Sequence, residues 1–455
     1  MIRSFANLRT TRSIETYISK VNSSLARATR LIFRIGRGNL AFLFMAAIFC
    51  LAPQSAKAQC GTTPPTGAIT WTTNWCDEFN GARDSAIDAT KWTYDTGGGG
   101  WGNNELEVYC APSSNTSPCS SSSPNAYIDG SGHLAVQVQL VGSTYTSARL
   151  KTQGLQSFQS GRIEASIQIP SHAGLWPAFW MLGAEPGVSW PTVGESDIME
   201  NWPATSNIHG PGATGNCSTI HTKVTGGSGI GKCFTLPNGG QVDTAFHTYG
   251  TIWSANMIQF YVDDPTQPFF VVTASDLPSG DVWPFSSSAD PFFLITNMAV
   301  GGTLGAPTDS MTCCQPPMLI DYVRQYLPSG IPAPQMTPAG GITVTAGATT
   351  GNTTTIDLST TQGTGRVAFS CTTTAPKASC VVTSADATNK YTVDFSNSSS
   401  GTATVTVTTT ANTQHGGHAN GTPPGNYTIT VDAFTESSTF ASTPSASTNV
   451  SLTVN

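Results

Sequence analysis

Residues 162–169 read RIEASIQI, and this stretch decides the fold. Ile163, Ala165, Ile167 and Ile169 recur at every second position, so they share one face of an extended chain. Residues 133–140 (HLAVQVQL) repeat the pattern with Leu134, Val136, Val138 and Leu140. The stretches 257–263, 292–300 and 318–326 add further strand-like runs, separated by Gly, Pro, Asn and Asp. No long segment carries a 3.6-residue period. The expectation is an all-β chain whose first large domain is an antiparallel sandwich of two sheets.

Composition agrees. The chain has 455 residues, 45 Gly and 29 Pro, and only 10 % of residues are charged, against about 25 % in ordinary soluble domains. This speaks against a helical bundle or coiled coil. All 10 Trp fall between Trp71 and Trp283, which confines the aromatic chemistry to one segment. Net charge is -7, and no basic cluster lies in the body of the chain, so nucleic acid is not an expected partner.

Residues 1–58 read differently from the rest. They hold 9 of the 20 Lys and Arg and a single acid, Glu15, followed by an apolar run at 40–52 and the small-x-small site AKA at 56–58. This order predicts a secretory signal peptide and a secreted product, extracellular or periplasmic. The run is too short for the ~20 residues of a membrane span, so no membrane association is expected after cleavage. Cleavage leaves 11 basic and 26 acidic residues, 20 − 9 and 27 − 1, a net of −15. A neutral polymer suits such a chain better than an anionic one. It also leaves 10 of the 11 Cys. An even number in an exported chain points to disulfides. Cys110 with Cys119, Cys217 with Cys233 and Cys371 with Cys380 are candidates by proximity. Cys60, Cys76 and the vicinal Cys313-Cys314 remain, to pair across the two ends of the first domain.

The predicted organisation is a signal peptide at 1–58, a large sandwich at 59–327, a Pro/Gly-rich linker at 328–341 and a smaller sandwich at 342–455. The last region has no Trp and is rich in Thr and Ser, with strand-like runs at 402–408 and 426–431. About seven short strands in ~115 residues fit an immunoglobulin-like module. A monomer is expected.

The chemistry concentrates at 194–201, GESDIMEN. Glu195 and Asp197 share a face of a strand, and one extra residue at Ile198-Met199, a β-bulge, brings Glu200 to that face. With the bulge absorbed, Glu195 and Glu200 lie four strand steps apart. Leaning side chains would leave their carboxyls on the order of 5 Å apart, the separation used by retaining glycosidases. Three carboxyls in one cleft cannot all ionise at low cost, so at least one keeps its proton near neutral pH. Asp197, between the two, would orient Glu195. Spacing alone leaves open which Glu attacks, and an exposed acidic face or a calcium loop is the blander alternative.

The pattern Glu195-x-Asp197-x-x-Glu200 resembles the bulged signature of glycoside hydrolase family 16. DEFNG at 77–81, GGWGNNEL at 99–106, SGRIEA at 160–165, GLWPAFWM at 174–181, FHTY at 246–249, NMAVGG at 297–302 and DYVR at 321–324 resemble that family's laminarinase-like members. The resemblance covers about residues 66–327. It implies a concanavalin-like jelly roll that performs retaining endo-hydrolysis of β-1,3-glucan. Glu195 would be the nucleophile, Asp197 the helper and Glu200 the acid/base. Ser196 departs from the usual branched apolar residue, on the side away from the cleft.

A neutral sugar polymer stacks its ring faces on aromatics. The resemblance places Trp101, Trp176 and Trp180 in the cleft, with Asn104 on sugar hydroxyls. It also places a His near the acid/base, which His221 or His209 supplies. His247 reads as structural, and His415 and His418 as a loop rather than a metal site. The resemblance implies no cofactor for catalysis and a structural calcium held by Glu78, the Gly132 backbone and Asp321. Neighbouring functions on the same scaffold are mixed-linkage β-1,3-1,4-glucan hydrolysis, galactan hydrolysis and transglycosylation. A lectin or adhesin is the alternative of another class, and it would not need both Glu195 and Glu200.

Overall fold

Alternating apolar residues become two stacked sheets because each sheet must bury one face. A computed structural model describes residue 60 and residues 69–203, 210–286, 291–305, 307–415, 418–436 and 444–455. The predicted signal segment lies outside these residues. The strand Gly161–Gln168 lies inside an eight-stranded sheet, between His247–Ser254 and Met318–Ser329. Facing it is a seven-stranded sheet in the order Ile230–Thr235, Gly215–His221, Glu195–Glu200, Leu175–Gly183, Phe292–Val300, Arg149–Lys151, Thr93–Asp95. Ile163, Ala165 and Ile167 of the first sheet meet Phe179, Met181, Ile198, Met199, Leu294 and Met298 of the second in one core. Helical structure among the described residues is confined to short 3-10 turns, and none of these residues forms a helix able to cross a membrane.

Two expectations change on folding. The run 133–140 is not one strand. Leu134–Val136 and Gln139–Val141 belong to different sheets, and Leu140 is 45 % exposed. Here the alternation continues past the point where the chain leaves the core. The outward face of Gly161–Gln168 is buried as well. Arg162 Nε donates to Glu164 Oε2 at 2.7 Å, and the hydroxyls of Tyr261 and Tyr326 donate to the same carboxylate. A buried charge is tolerated only when paired and hydrogen-bonded in this way.

Beyond residue 330 a second sandwich forms from a four-stranded and a five-stranded sheet. Its core contains Ile356, Leu358, Val367, Phe369, Val405, Val407, Ile429, Val431 and Leu452. The stretch 328–341 is no free tether. Met318–Ser329 runs straight into it, and Gln335–Pro338 pairs with Thr353–Ser359 at the edge of the four-stranded sheet. An edge strand tolerates Pro338 because one side of its ladder needs no donor.

The second sandwich packs on the first, and Gln59–Asn455 forms a single compact unit. Ala368 buries Met257 and Val271. Gln259 Nε2 donates to Glu436 Oε1 at 2.7 Å. Asn389 Nδ2 donates to the Val271 carbonyl at 2.8 Å and to Asp276 Oδ2 at 2.7 Å. Val271 lies in Phe270–Thr273, the terminal strand of the eight-stranded sheet, so Asn389 covers an otherwise open edge.

Among the described residues four disulfides link Cys60–Cys76, Cys110–Cys119, Cys217–Cys233 and Cys371–Cys380. The last three are the expected pairs. Cys60 takes Cys76, sixteen residues away, rather than a partner at the far end of the domain. Cys313 and Cys314 stay free among the described residues, their Sγ atoms 3.1 Å apart.

Candidate active site

The site is built on the outer face of the seven-stranded sheet. Directly opposed residues of antiparallel strands put their side chains on the same face, and the register therefore fixes who neighbours whom. One row across the sheet runs Cys217, Glu200, Ala178, Asn297, Arg149, Asp95. The next runs Thr219, Asp197, Trp180, Ile295, Lys151, Thr93, and the third contains His221, Glu195 and Leu182.

The bulge lies where the carboxylate spacing requires it. Asp197 pairs with Thr219 and Glu200 with Cys217, so three steps on one strand match two on the other. The pairing with Leu175–Gly183 slips at the same point, between Phe179 and Trp180. Ile198 and Met199 both enter the core. Ser218 Oγ donates to the Ile198 carbonyl at 2.7 Å, satisfying a backbone group beside the irregularity. The slip returns Glu200 to the face of Glu195 and Asp197. Ser196 points inward and is fully buried.

Charge in this cluster is strongly perturbed. Burial, then the neighbouring Asp197, push Glu200 up to about 8, against the opposing effect of the Trp176 indole, whose Nε1 donates to Glu200 Oε1 at 3.0 Å. Burial and Asp197 also push Glu195 upward, while His221 and a hydrogen bond from Trp190 favour its carboxylate. His221 Nε2 lies 3.1 Å from Asp197 Oδ2 and 4.0 Å from Glu195 Oε1. Its Nδ1 donates to the Gly226 carbonyl at 2.7 Å. Burial pulls the imidazole down, but Asp197 and Glu195 outweigh it and raise His221 to about 10. The cluster thus holds an imidazolium beside Glu195 and Asp197 and a protonated carboxyl at Glu200 near neutral pH.

The ligand atoms of Glu195, Asp197 and His221 lie within 4.8 Å of one another. A proton on the His221 imidazole competes with any metal for its lone pair. The expected calcium set fares worse. Arg324 Nε and Nη2 hold both oxygens of Glu78 at 2.7 Å each. A carboxylate already neutralised by a guanidinium is a poor calcium ligand. Of the expected set Glu78, Gly132 and Asp321, Glu78 is therefore held by Arg324 instead.

Of the expected sugar contacts, Trp176 and Trp180 stand on the same face as the carboxylates. Trp180 Nε1 donates to Asn297 Oδ1 at 2.8 Å. Trp101 lies across the Arg149 guanidinium, whose carbon is 5.0 Å from the Trp101 ring and 4.8 Å from the Trp180 ring. Arg149 and Lys151 both pair with Asp95. Asn104 is exposed, with a left-handed φ of 60°. His209 lies outside the described residues. His247 binds Asp263 away from the carboxylates. His415 and His418 are register partners in a two-residue hairpin ladder.

Sequence reasoning missed Trp190, which is 48 % exposed with its ring 6.0 Å from His221. It also missed Arg149, Tyr109 and the acidic pair Glu105 and Glu107. Their one visible signal was Glu105 and Glu107 at strand spacing beside Trp101.

Comparisons with known proteins bear on this geometry. The family model for glycosyl hydrolases family 16 matches residues 115–290. The chain is 35 % identical over 269 residues to the beta-glucanase of Rhodothermus marinus, spanning 56 % of this chain and 85 % of that protein. It is 30 % identical over 282 residues to glucan endo-1,3-beta-glucosidase A1 of Niallia circulans, spanning 55 % of this chain and 37 % of that longer protein. Among solved structures it is similar to the catalytic domain of an endo-1,3-beta-glucanase (laminarinase) from Thermotoga petrophila. That match has 32 % identity and a TM-score of 0.49, and covers 57 % of this chain and 99 % of the other.

Proposed function

The chain belongs to glycosyl hydrolases family 16, and from that membership we propose that it is a retaining endo-β-1,3-glucanase acting by double displacement. Glu195 attacks the anomeric carbon as a carboxylate, aided by the imidazolium of His221. Glu200 gives its proton to the departing glycosidic oxygen and then, as a carboxylate, takes a proton from the water that releases the glycosyl-enzyme. Asp197, in the next row between Glu195 and Glu200 and 3.1 Å from His221 Nε2, orients Glu195 and the imidazole. Trp101, Trp176 and Trp180 stack the sugar rings, with Asn104 on hydroxyls.

One observation carries this reading. The bulge aligns two glutamates on one face, with Glu200 raised to about 8 and an imidazolium beside Glu195. Glu200 thereby keeps the proton an acid needs, and the imidazolium favours the Glu195 carboxylate against the burial and the Asp197 charge that oppose it. The β-1,3-glucan substrate rests on the names of the similar proteins above and on a Trp-lined face. Export is supported by four disulfides, and the signal segment at 1–58 belongs to the same reading.

The test is a panel of laminarin, lichenan, agarose and carrageenan assayed for reducing ends, with Glu195→Gln and Glu200→Gln beside the unaltered chain. Laminarin is cleaved first and β-configured products appear first. Both variants lose activity by about 10²–10⁴-fold while melting normally. Full activity in either variant sinks the catalytic assignment. Release from lichenan alone moves the substrate to mixed-linkage glucan.

A further inference from the structure

A buried acidic pair lies on the far side of Trp180 from Asp197, and the chemistry above does not use it. Glu105 and Glu107 stand two residues apart, 8 % and 1 % exposed. Glu107 belongs to the short strand Glu107–Tyr109, which runs parallel to Thr144–Ser147. Glu107 Oε2 accepts from the Val300 N–H at 2.7 Å, while Oε1 is buried and accepts no hydrogen bond. Two residues apart on extended chain, the Glu105 and Glu107 side chains fall on the same side of the backbone, and both are buried. Glu105 in turn accepts from Asn103 Nδ2 at 3.1 Å and from the Tyr109 hydroxyl at 3.0 Å.

Donors and acceptors in this group leave little choice. Trp180 Nε1 is a donor only, so Asn297 Oδ1 must accept from it. Asn297 then offers its Nδ2 to the Tyr109 oxygen at 3.0 Å. That oxygen, having accepted, gives its own proton to Glu105 Oε2. The chain of bonds runs one way, from the cleft indole to the Glu105 carboxyl. Beside its end Glu107 Oε1 is buried without a hydrogen-bond partner, two residues along the extended chain from a second buried carboxyl, and an oxygen there is satisfied when it carries a proton it can donate.

We propose that Glu107 is a positioning residue of the glucan cleft, held as a neutral carboxylic acid whose Oε1 proton is donated to Glu105, so that the chain Glu105–Tyr109–Asn297 fixes the Trp180 indole beside Asp197. It rests on the reading of that face as a glucan-binding cleft. Burial and the adjacent Glu105 hold Glu107 up to about 8, in agreement with a resident proton. The other charged or titratable groups facing the pair are Tyr109 on its own strand, Arg149 from Arg149–Lys151 and Tyr145 opposite Glu107 in register. From Phe292–Val300 come only the neutral Asn297 amide and the Val300 N–H. When Glu107 ionises, two like charges share the dry site and Glu105 loses a donor, which frees the chain that holds Trp180.

The test has two readouts. The first is the infrared difference between the unaltered protein and Glu107→Gln. A protonated-carboxyl C=O band is expected at pH 6, fading as the pH rises through about 8. The second is binding of a soluble β-1,3-gluco-oligosaccharide in a Glu195→Gln background, which prevents turnover. Glu107→Ala and Tyr109→Phe bind about tenfold more weakly at pH 6. Glu107→Gln, which keeps a neutral donor, restores the affinity and abolishes its decline between pH 7 and pH 9. Absence of the band overturns the proposal. So does a Glu107→Gln protein that binds as poorly as Glu107→Ala. If no variant and not the parent binds the oligosaccharide while the band persists, the glucan reading fails, and the state of Glu107 is decided by the infrared result alone.

Discussion

At the scale of single residues, the site works by giving similar side chains different surroundings. Glu195 and Glu200 are the same amino acid on the same strand face, yet one lies beside His221 and the other beside the Trp176 indole. The Trp176 bond favours ionised Glu200. Replacing Trp176 by Phe removes that donor, so Glu200 holds its proton more tightly. The alkaline limb of kcat/KM, expected near pH 8 where Glu200 loses its proton, then moves to higher pH. A limb that stays in place or moves down contradicts the role of Glu200 as acid. The three carboxylates and the bulge between Asp197 and Glu200 were legible in GESDIMEN. The identity of the histidine was not, because His209 and His221 offer equal sequence signals. Only the pairing of Glu195 with His221 across two strands brings one of them to the cluster.

At the scale of elements, the bulge and its neighbours shape the floor. Ala178 is opposed to Glu200 on one side and Asn297 on the other, so a small side chain separates the acid from the Trp180 hydrogen bond. Ala178→Leu places extra methyl groups between them, and about a tenfold fall in kcat/KM is expected, in line with the sensitivity of catalysis to small misplacements. Circular dichroism and the melting temperature should change little, because the added side chain faces the cleft and not the core. An unchanged kcat/KM would mean that the row across the sheet does not set the geometry. On the adjoining strands Cys217 and Cys233 are directly opposed and bonded. The double change of both to Ser is expected to cost about 2–4 kcal/mol of stability, read from urea unfolding. Period-two patterning located most of these strands. It failed at 133–140, where Val138 is buried but Leu140 is exposed, because alternation records which residues are apolar and not where the chain turns out of the core.

At the scale of the whole molecule, the second sandwich is bound to the first through buried groups. Glu436 is fully enclosed, and burial, partly offset by Gln259 and Arg366, raises it to about 7. The folded state therefore binds this proton more tightly than the unfolded chain, whose ordinary value is 4.5. Its contribution is complete below about pH 4.5 and is lost as pH rises through about 7. Glu436→Gln should flatten the fall in melting temperature between pH 5 and pH 8, and an unaltered slope would exclude Glu436 as its source. Removing residues 342–455 uncovers Met257 and Val271. The shortened chain is expected to melt several degrees lower and to aggregate more readily, through the uncovered edge strand Phe270–Thr273. Equal melting of the shortened and full chains would contradict a docked second sandwich.

The sequence by itself determined the all-β class, the division between a Trp-rich and a Thr-rich region, three of the four disulfides and the three carboxylates with their bulge. These follow from local periodicity, local composition and short spacings, which a linear reading contains. Only the tertiary structure decided that His221 joins the carboxylates, that Arg324 occupies Glu78, that residues 335–338 are strand rather than tether, and that a hydrogen-bond chain runs from Trp180 to the buried Glu105. Each of these depends on groups far apart in the chain meeting across strands, where burial and the available donors set protonation, and neither can be read from a residue's neighbours in sequence.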